Sequence, residues 1–176
     1  NNEGYQNLIK LVSYGFTEGF YYKPRVDKEL LRKYGKGLIA SSACLAGEVP
    51  RNILTVSYEK AKEAALEYLE IVGEGNFFLE LQDHGIDEQK PVNQGVMRLS
   101  RETGLPLVVT NDAHYLRRED AEMQDILLCI QTGKTVDEPN RMKFQTEEFY
   151  LKSEEELRSL FPNCDEAFQN TVKIAD

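Results

Sequence analysis

Both histidines of this chain, His84 and His114, and Cys44, one of its three cysteines, fall in short polar stretches that follow apolar runs. Asp112 and His114 are two residues apart, so on extended chain their side chains point the same way. With the thiolate of Cys44 they make a mixed oxygen, nitrogen and sulfur donor set that zinc, manganese or iron could use. Such a metal activates water for hydrolysis and steadies charge on a phosphate. The same residues have a purely structural alternative: Asp112 caps a helix, His114 bonds a loop, and Cys44 is a small buried residue. His84 follows Asp83 in a polar turn and can simply tie that loop down.

Other chemistries find less support. The chain holds no G-x-x-x-x-G-K-[ST] loop, no G-x-G-x-x-G and no G-x-S-x-G nucleophile elbow. Arg117 and Arg118 could meet a phosphate or stand as a solvated charge pair. Phe20, Tyr21 and Tyr22 could stack on bases or pack. Cys129, between Leu128 and Ile130, reads as core.

The candidate donors need strand ends to hold them, and the sequence supplies three. Residues 37–42, 76–81 and 105–110 are short apolar runs, each followed by a loop and an amphipathic helix. The first helix is capped by Ser57, shows Tyr58, Ala61, Ala65, Tyr68 and Val72 on one face, and stops at Gly73. The second has Pro91 in its first turn, carries Val92, Val96 and Leu99, and closes at Gly104. The third carries Met123, Ile126, Leu127 and Ile130 and closes at Gly133. Strand and helix in series predict parallel strands with crossover helices, an α/β barrel or an open doubly wound sheet. In such folds function gathers at the carboxyl ends of the strands, where Cys44, His84, Asp112 and His114 lie.

Flanking these units, Tyr5, Leu8, Ile9 and Val12 predict one apolar face of an opening helix. Phe20–Tyr22 reads as extended chain, and Asp27 caps a helix to Lys33 with Gly35 beyond it. Residues 134–145 read as a long loop. Ser153 and Glu156 form a capping box for a helix with Leu157, Leu160 and Phe161, ended by Pro162, and the remainder is helical.

Composition frames this as one globular domain of 176 residues, 41% hydrophobic, with a net charge of −9. The acidic balance argues against holding nucleic acid by bulk charge. No run is long and apolar enough to cross a membrane, and the cysteines suit neither a disulfide framework nor a Cys-x-x-Cys site, so a cytoplasmic protein with reduced thiols is expected. The chain lacks an initiating methionine and stops inside a helical pattern, so we expect part of a longer polypeptide.

The strings Gly37–Glu48 (GLIASSACLAGE), Phe77–Gly85 (FFLELQDHG), Val108–Leu116 (VVTNDAHYL), Glu119–Glu122 and Leu127–Gly133 (LLCIQTG) occur in this order. Together with Gly4–Leu8, Gly19–Arg25 and Phe149–Ser153 they resemble the PHP domain, the polymerase and histidinol phosphatase module, as found in bacterial DNA polymerase III alpha subunits. The resemblance spans essentially the whole chain. It implies an α/β fold, a partial distorted (β/α)7 TIM-like barrel with additional C-terminal helices. It also implies divalent metal ions, zinc or manganese, held by Cys44, Asp112 and His114. Asp112 and His114 would then be the catalytic pair of a 3′-5′ exonuclease or phosphoesterase-type site.

Two departures qualify the pattern. The family's His-x-His motif and other early ligands have no counterpart, so residues 1–176 are expected to form a single domain that lacks its N-terminal part. Gln124 stands where a histidine is expected. As part of a DNA-directed DNA polymerase, a nucleotidyltransferase of chromosome replication, the segment would meet DNA through other domains and would partner other holoenzyme subunits, with no membrane role. The alternatives are a non-catalytic scaffold and docking module, and a free-standing phosphoesterase.

Overall fold

A computed structural model describes residues 1–176. Three short strands, β1 (Ala40–Ser41), β2 (Phe77–Leu81) and β3 (Leu107–Val109), form a sheet in that order, both pairs parallel. Helices α3 (Glu48–Thr55) and α4 (Tyr58–Val72) lie between β1 and β2, and α5 (Gln89–Thr103) lies between β2 and β3. The serial strand-helix pattern therefore yields the expected parallel α/β arrangement. Within these residues the sheet is open rather than closed into a barrel.

The core is built where apolar periods meet. Phe77, Leu79 and Leu81 of β2 pack against Ala61, Ala64 and Ala65 of α4 and Val92, Val96 and Leu99 of α5. The small α4 residues let that helix sit close to the sheet. Ser57 Oγ accepts from Lys60 N at the start of α4 (3.2 Å), and α5 ends at Gly104 in the left-handed region, as the sequence indicates. On the far side, α7 (Glu154–Leu160) and α8 (Asp165–Ala175) bring Leu157, Ala167 and Phe168 into the same core. Asn170 Nδ2 donates to Leu107 O (2.8 Å), which satisfies part of the free edge of β3. The reciprocal Ser153–Glu156 capping box of α7 is present.

Several expectations need correction. The run at 37–42 is a two-residue edge strand rather than a fully buried one: Ala40 packs toward the core, while Ile39 and Ser41 point to the opposite face and are exposed. Phe20–Tyr22 is a turn, with Tyr22 at φ 61°, not extended chain. Residues 48–55 form α3, which a glycine N-cap and Pro50 concealed. Helix α6 (Ala121–Thr132) forms, yet Met123, Ile126, Leu127 and Ile130 are exposed while Leu128 and Cys129 are buried.

Helix α1 (Asn2–Thr17) is likewise present with its apolar face outward. Tyr5, Leu8, Ile9 and Val12 are exposed, and Gly4, Asn7, Leu11 and Gly15 are buried. Close backbone approach explains the choice: a Cβ on Gly4 would lie 1.9 Å from Gly37 O. Asn7 Nδ2 donates to Lys36 O at the same contact (3.0 Å), and Tyr14 stacks on Tyr34 of α2 (Lys28–Tyr34). Lys28 then joins α2 to both crossover helices through Glu48 (2.9 Å) and Glu67 (2.7 Å).

Gly4→Ala should therefore undock α1. The overpacking cost of about 1–3 kcal/mol outweighs the smaller helix-propensity gain of alanine. Urea unfolding should register this loss, and amides 5–17 should exchange faster; unchanged exchange would contradict the close-approach account.

Candidate metal-binding rim

All three strands end on one edge, and the chain turns sharply there. Ala43, after β1, and Asp112, after β3, are non-glycine residues at φ 60° and 45°. Backbone of this kind costs about 1–3 kcal/mol per residue and persists only when its surroundings fix it. After β1 the rim loop is closed by Gly47 N donating to Cys44 O (2.8 Å), and a Cβ on Gly47 would lie 2.1 Å from Ser42 O. That close approach requires glycine at the start of α3.

The β3 end is fixed by long-range partners. Asn111 behaves as a piece of strand: its Oδ1 accepts from Lys152 N (3.0 Å) and its Nδ2 donates to Lys152 O (3.2 Å). His114 N donates to Phe149 O (2.8 Å), and Tyr115 forms a parallel bridge with Tyr150. The returning segment also lays Phe144 and Phe149 against the His114 ring, with centroids 4.8 and 5.5 Å away.

His84 is the buried pin of this assembly, 2% exposed and stacked on Phe149 at 4.2 Å. Its Nε2 lies 2.7 Å from Asn111 O, which can only accept, so Nε2 carries the proton. Nδ1 then accepts from Gln89 Nε2 (2.8 Å), Gln89 Oε1 accepts from His84 N (2.7 Å), and Thr146 Oγ1 donates to His84 O (2.6 Å). The loop-tying reading of His84 thus describes what it does. Burial lowers its pKa, and burial likewise lowers that of Lys152, whose Nζ donates to Glu148 O.

The rim brings Asp112 and His114 together. Asp112 Oδ1 lies 3.6 Å from His114 Nε2, and both side chains remain partly exposed. Such an oxygen and nitrogen pair can chelate one divalent cation. Cys44 does not join them: no group of three or more His, Cys, Asp or Glu suited to a metal occurs in these residues. The donors fit a metal in kind but fall short in number. Gln82 Oε1 is buried without a donor, while its Nε2 donates to Thr110 Oγ1 (3.1 Å).

Arg117 and Arg118 are exposed. Arg118 pairs with Glu148, and Arg117 N donates to Asp120 in the turn before α6, so the charge-pair reading suits them. The sequence reading missed Gln89, Phe144, Phe149 and Lys152. Asn111 stands in the Val108–Leu116 string and Phe149 and Lys152 in Phe149–Ser153, but nothing in either string signals that the two segments pair.

Comparison with known proteins follows the same lines. The PHP domain family matches residues 1–84, which stops before Asp112 and does not place the chain in the later part of that domain. The DNA polymerase III subunit alpha of Borreliella burgdorferi is 50% identical over 176 residues, covering 100% of this chain and 15% of that protein. Its counterpart in Treponema pallidum is 51% identical over 175 residues, 99% of this chain and 15% of the relative. That of Thermus aquaticus is 48% identical over 175 residues, 98% of this chain and 14% of the relative. The chain thus spans about 15% of the length of the curated relatives it matches.

The lowered pKa of His84 sets a pH dependence. In the unfolded chain the imidazole titrates near 6.5. The folded state binds its proton less readily, so the stability His84 contributes is complete above that pH and is lost as pH falls toward the lowered folded value. Urea unfolding between pH 7 and 5 should show stability declining, and His84→Gln should flatten the part of that decline nearest 6.5. An identical profile for the variant would contradict the buried neutral imidazole.

Proposed function

We propose, from the premise that this chain belongs by homology with the PHP-bearing region of DNA polymerase III alpha subunits, that it serves DNA-directed DNA synthesis in chromosome replication. Its rim would contribute to a metal-dependent 3′-5′ exonuclease or phosphoesterase-type site. The observation that carries the reading is the convergence of Asp112 and His114, 3.6 Å apart, just beyond the carboxyl end of β3. The three strands would then form part of a distorted (β/α)7 barrel, with Cys44 supplying a third donor across the rim. The remaining donors would come from elsewhere in the parent polypeptide. Zinc or manganese suits the mixed donor set.

When bound, a divalent metal would supply Lewis acidity toward water and a terminal phosphodiester. Asp112 and His114 would hold it through one carboxylate oxygen and one ring nitrogen. Phe144 and Phe149 limit the swing of the His114 ring, and the Asn111–Lys152 pairing fixes the backbone on which both donors stand. With a net charge of −9, the segment would leave strand delivery to other domains of the polymerase, in the bacterial cytoplasm.

A second reading, a non-catalytic scaffold that docks other holoenzyme subunits, is favoured by the apolar faces that α1 and α6 leave exposed, including Leu8, Val12, Phe16, Leu127 and Ile130.

In the full-length parent polymerase, Asp112→Ala should spare nucleotide incorporation and lower PHP-dependent exonuclease by at least 100-fold. Retention of that exonuclease at the wild-type rate would sink the assignment and leave the scaffold. Residues 1–176 alone should bind zinc and manganese weakly in calorimetric titration, because too few donors converge. Tight binding of several ions would contradict this.

A further inference from the structure

Phe20, Tyr21 and Tyr22, whose types suit either base stacking or packing, are left in the open by the fold. They are 57%, 66% and 84% exposed, and Phe16, near the end of α1, is 60% exposed. Phe20, Tyr21 and Tyr22 also stay out of the aliphatic pocket that Leu8, Val12, Pro24 and Val26 help to form, the part of this surface suited to an apolar side chain.

The turn that carries the rings is held in shape. Gly19 lets it fold back onto α1, since a Cβ there would lie 2.0 Å from Arg25 O. Tyr21 N donates to Lys23 O (3.1 Å), and an Arg25 guanidinium nitrogen donates to Tyr21 O (2.6 Å). Phe16 stacks on Phe20 at 6.5 Å, Tyr21 meets Tyr22 edge-on at 4.6 Å, and the Arg25 guanidinium lies over Tyr21 at 5.0 Å. Little ordering is left for a ligand to impose.

The charge of this turn differs from that of the whole chain. No acidic residue occurs from Gly19 to Val26, and neither Lys23 nor Arg25 has a carboxylate within ion-pair distance, whereas Lys28, Arg32 and Lys36 are each paired. Exposed aromatic faces beside unpaired cations match what an unpaired nucleic-acid strand offers: bases stack on the rings and phosphates meet the cations. A duplex keeps its base faces hidden and cannot use such rings. Because stacking needs little charge, a chain of net charge −9 can supply this contact locally.

We propose that the Phe16–Arg25 turn is a contact surface for single-stranded DNA, with bases stacked on Phe20 and Tyr22 and phosphates paired with Lys23 and Arg25. The identity of the strand as DNA rests on the replicative reading of the chain; the metal reading of the rim plays no part in it.

The test uses the full-length polymerase and an oligothymidylate carrying 5-iododeoxyuridine, which cross-links to stacked aromatic residues under long-wavelength ultraviolet light; cross-linked peptides are mapped by mass spectrometry. Wild type should cross-link within residues 16–25, and oligothymidylate should protect Tyr21 and Tyr22 from nitration. Tyr22→Ala should lower cross-linking at this turn by about fivefold or more, and Tyr22→Phe, which keeps the ring, should retain it. Lys23→Gln should flatten the dependence of that yield on the logarithm of salt concentration by about 0.7. Cross-links elsewhere in the polymerase but none at this turn, or an undiminished yield in Tyr22→Ala, would overturn the inference and leave the replicative reading intact. Tyrosines that resist nitration even without DNA would overturn it too and give the surface to a protein neighbour. No cross-link anywhere in the polymerase would count against both readings.

Discussion

Parallel strands leave all their carboxyl ends on the same edge of a sheet, and β2 enforces that arrangement in this chain. It pairs in parallel with β1 on one side and β3 on the other, and Phe77, Leu79 and Leu81 anchor it in the core. The crossover helices pack on those side chains, so the burial that stabilises the sheet also keeps β1 and β3 in register. A residue three beyond β1 and another three beyond β3 then stand on one rim.

The rim departs from regular structure beside the candidate donors. Ala43 and Asp112 adopt left-handed backbone, and Gln82 keeps a buried oxygen without a donor. Each departure is held by something rigid: the Glu80 carboxylate, which accepts from Ser41 Oγ and Thr110 Oγ1, the Asn111–Lys152 pairing, and the His84 ring packed on Phe149. Neutral His84 suits this role, because at 2% exposure the burial of the ring outweighs the Asp112 and Asp83 carboxylates that favour its charged form. The exposed Asp112–His114 pair sits at the open end of the assembly, where a cation and further donors can reach it.

Local physics explains what the sequence made legible. Ser57, Asp27 and the Ser153–Glu156 pair cap the helices they were expected to cap, and Gly104 and Gly133 close α5 and α6 in left-handed conformation. The three strand runs and their order follow from apolar periodicity. The apolar faces of α1 and α6 misled because periodicity shows which face is apolar, not whether anything in these residues covers it. Gly4 marks the face of α1 that packs, through a backbone proximity that no hydropathy pattern records. Phe149 and Lys152 lie about forty residues in sequence from Asn111, in a loop with no periodic signal, so their service to the rim emerges only in three dimensions. Asp112 and His114 do come together, though on a left-handed turn at Asp112 rather than on the extended chain that their spacing suggested, and the isolation of Cys44 was not legible.

In the proposed function, Asp112 and His114 are part of a metal site whose other donors lie outside residues 1–176. Anomalous diffraction from crystals of the full-length parent polymerase soaked in Mn2+ tests it most directly. An anomalous peak is expected bonded to an Asp112 carboxylate oxygen and a His114 ring nitrogen, with at least one further protein donor from beyond residues 1–176. No peak at this pair, in a crystal whose other manganese sites are filled, would contradict it.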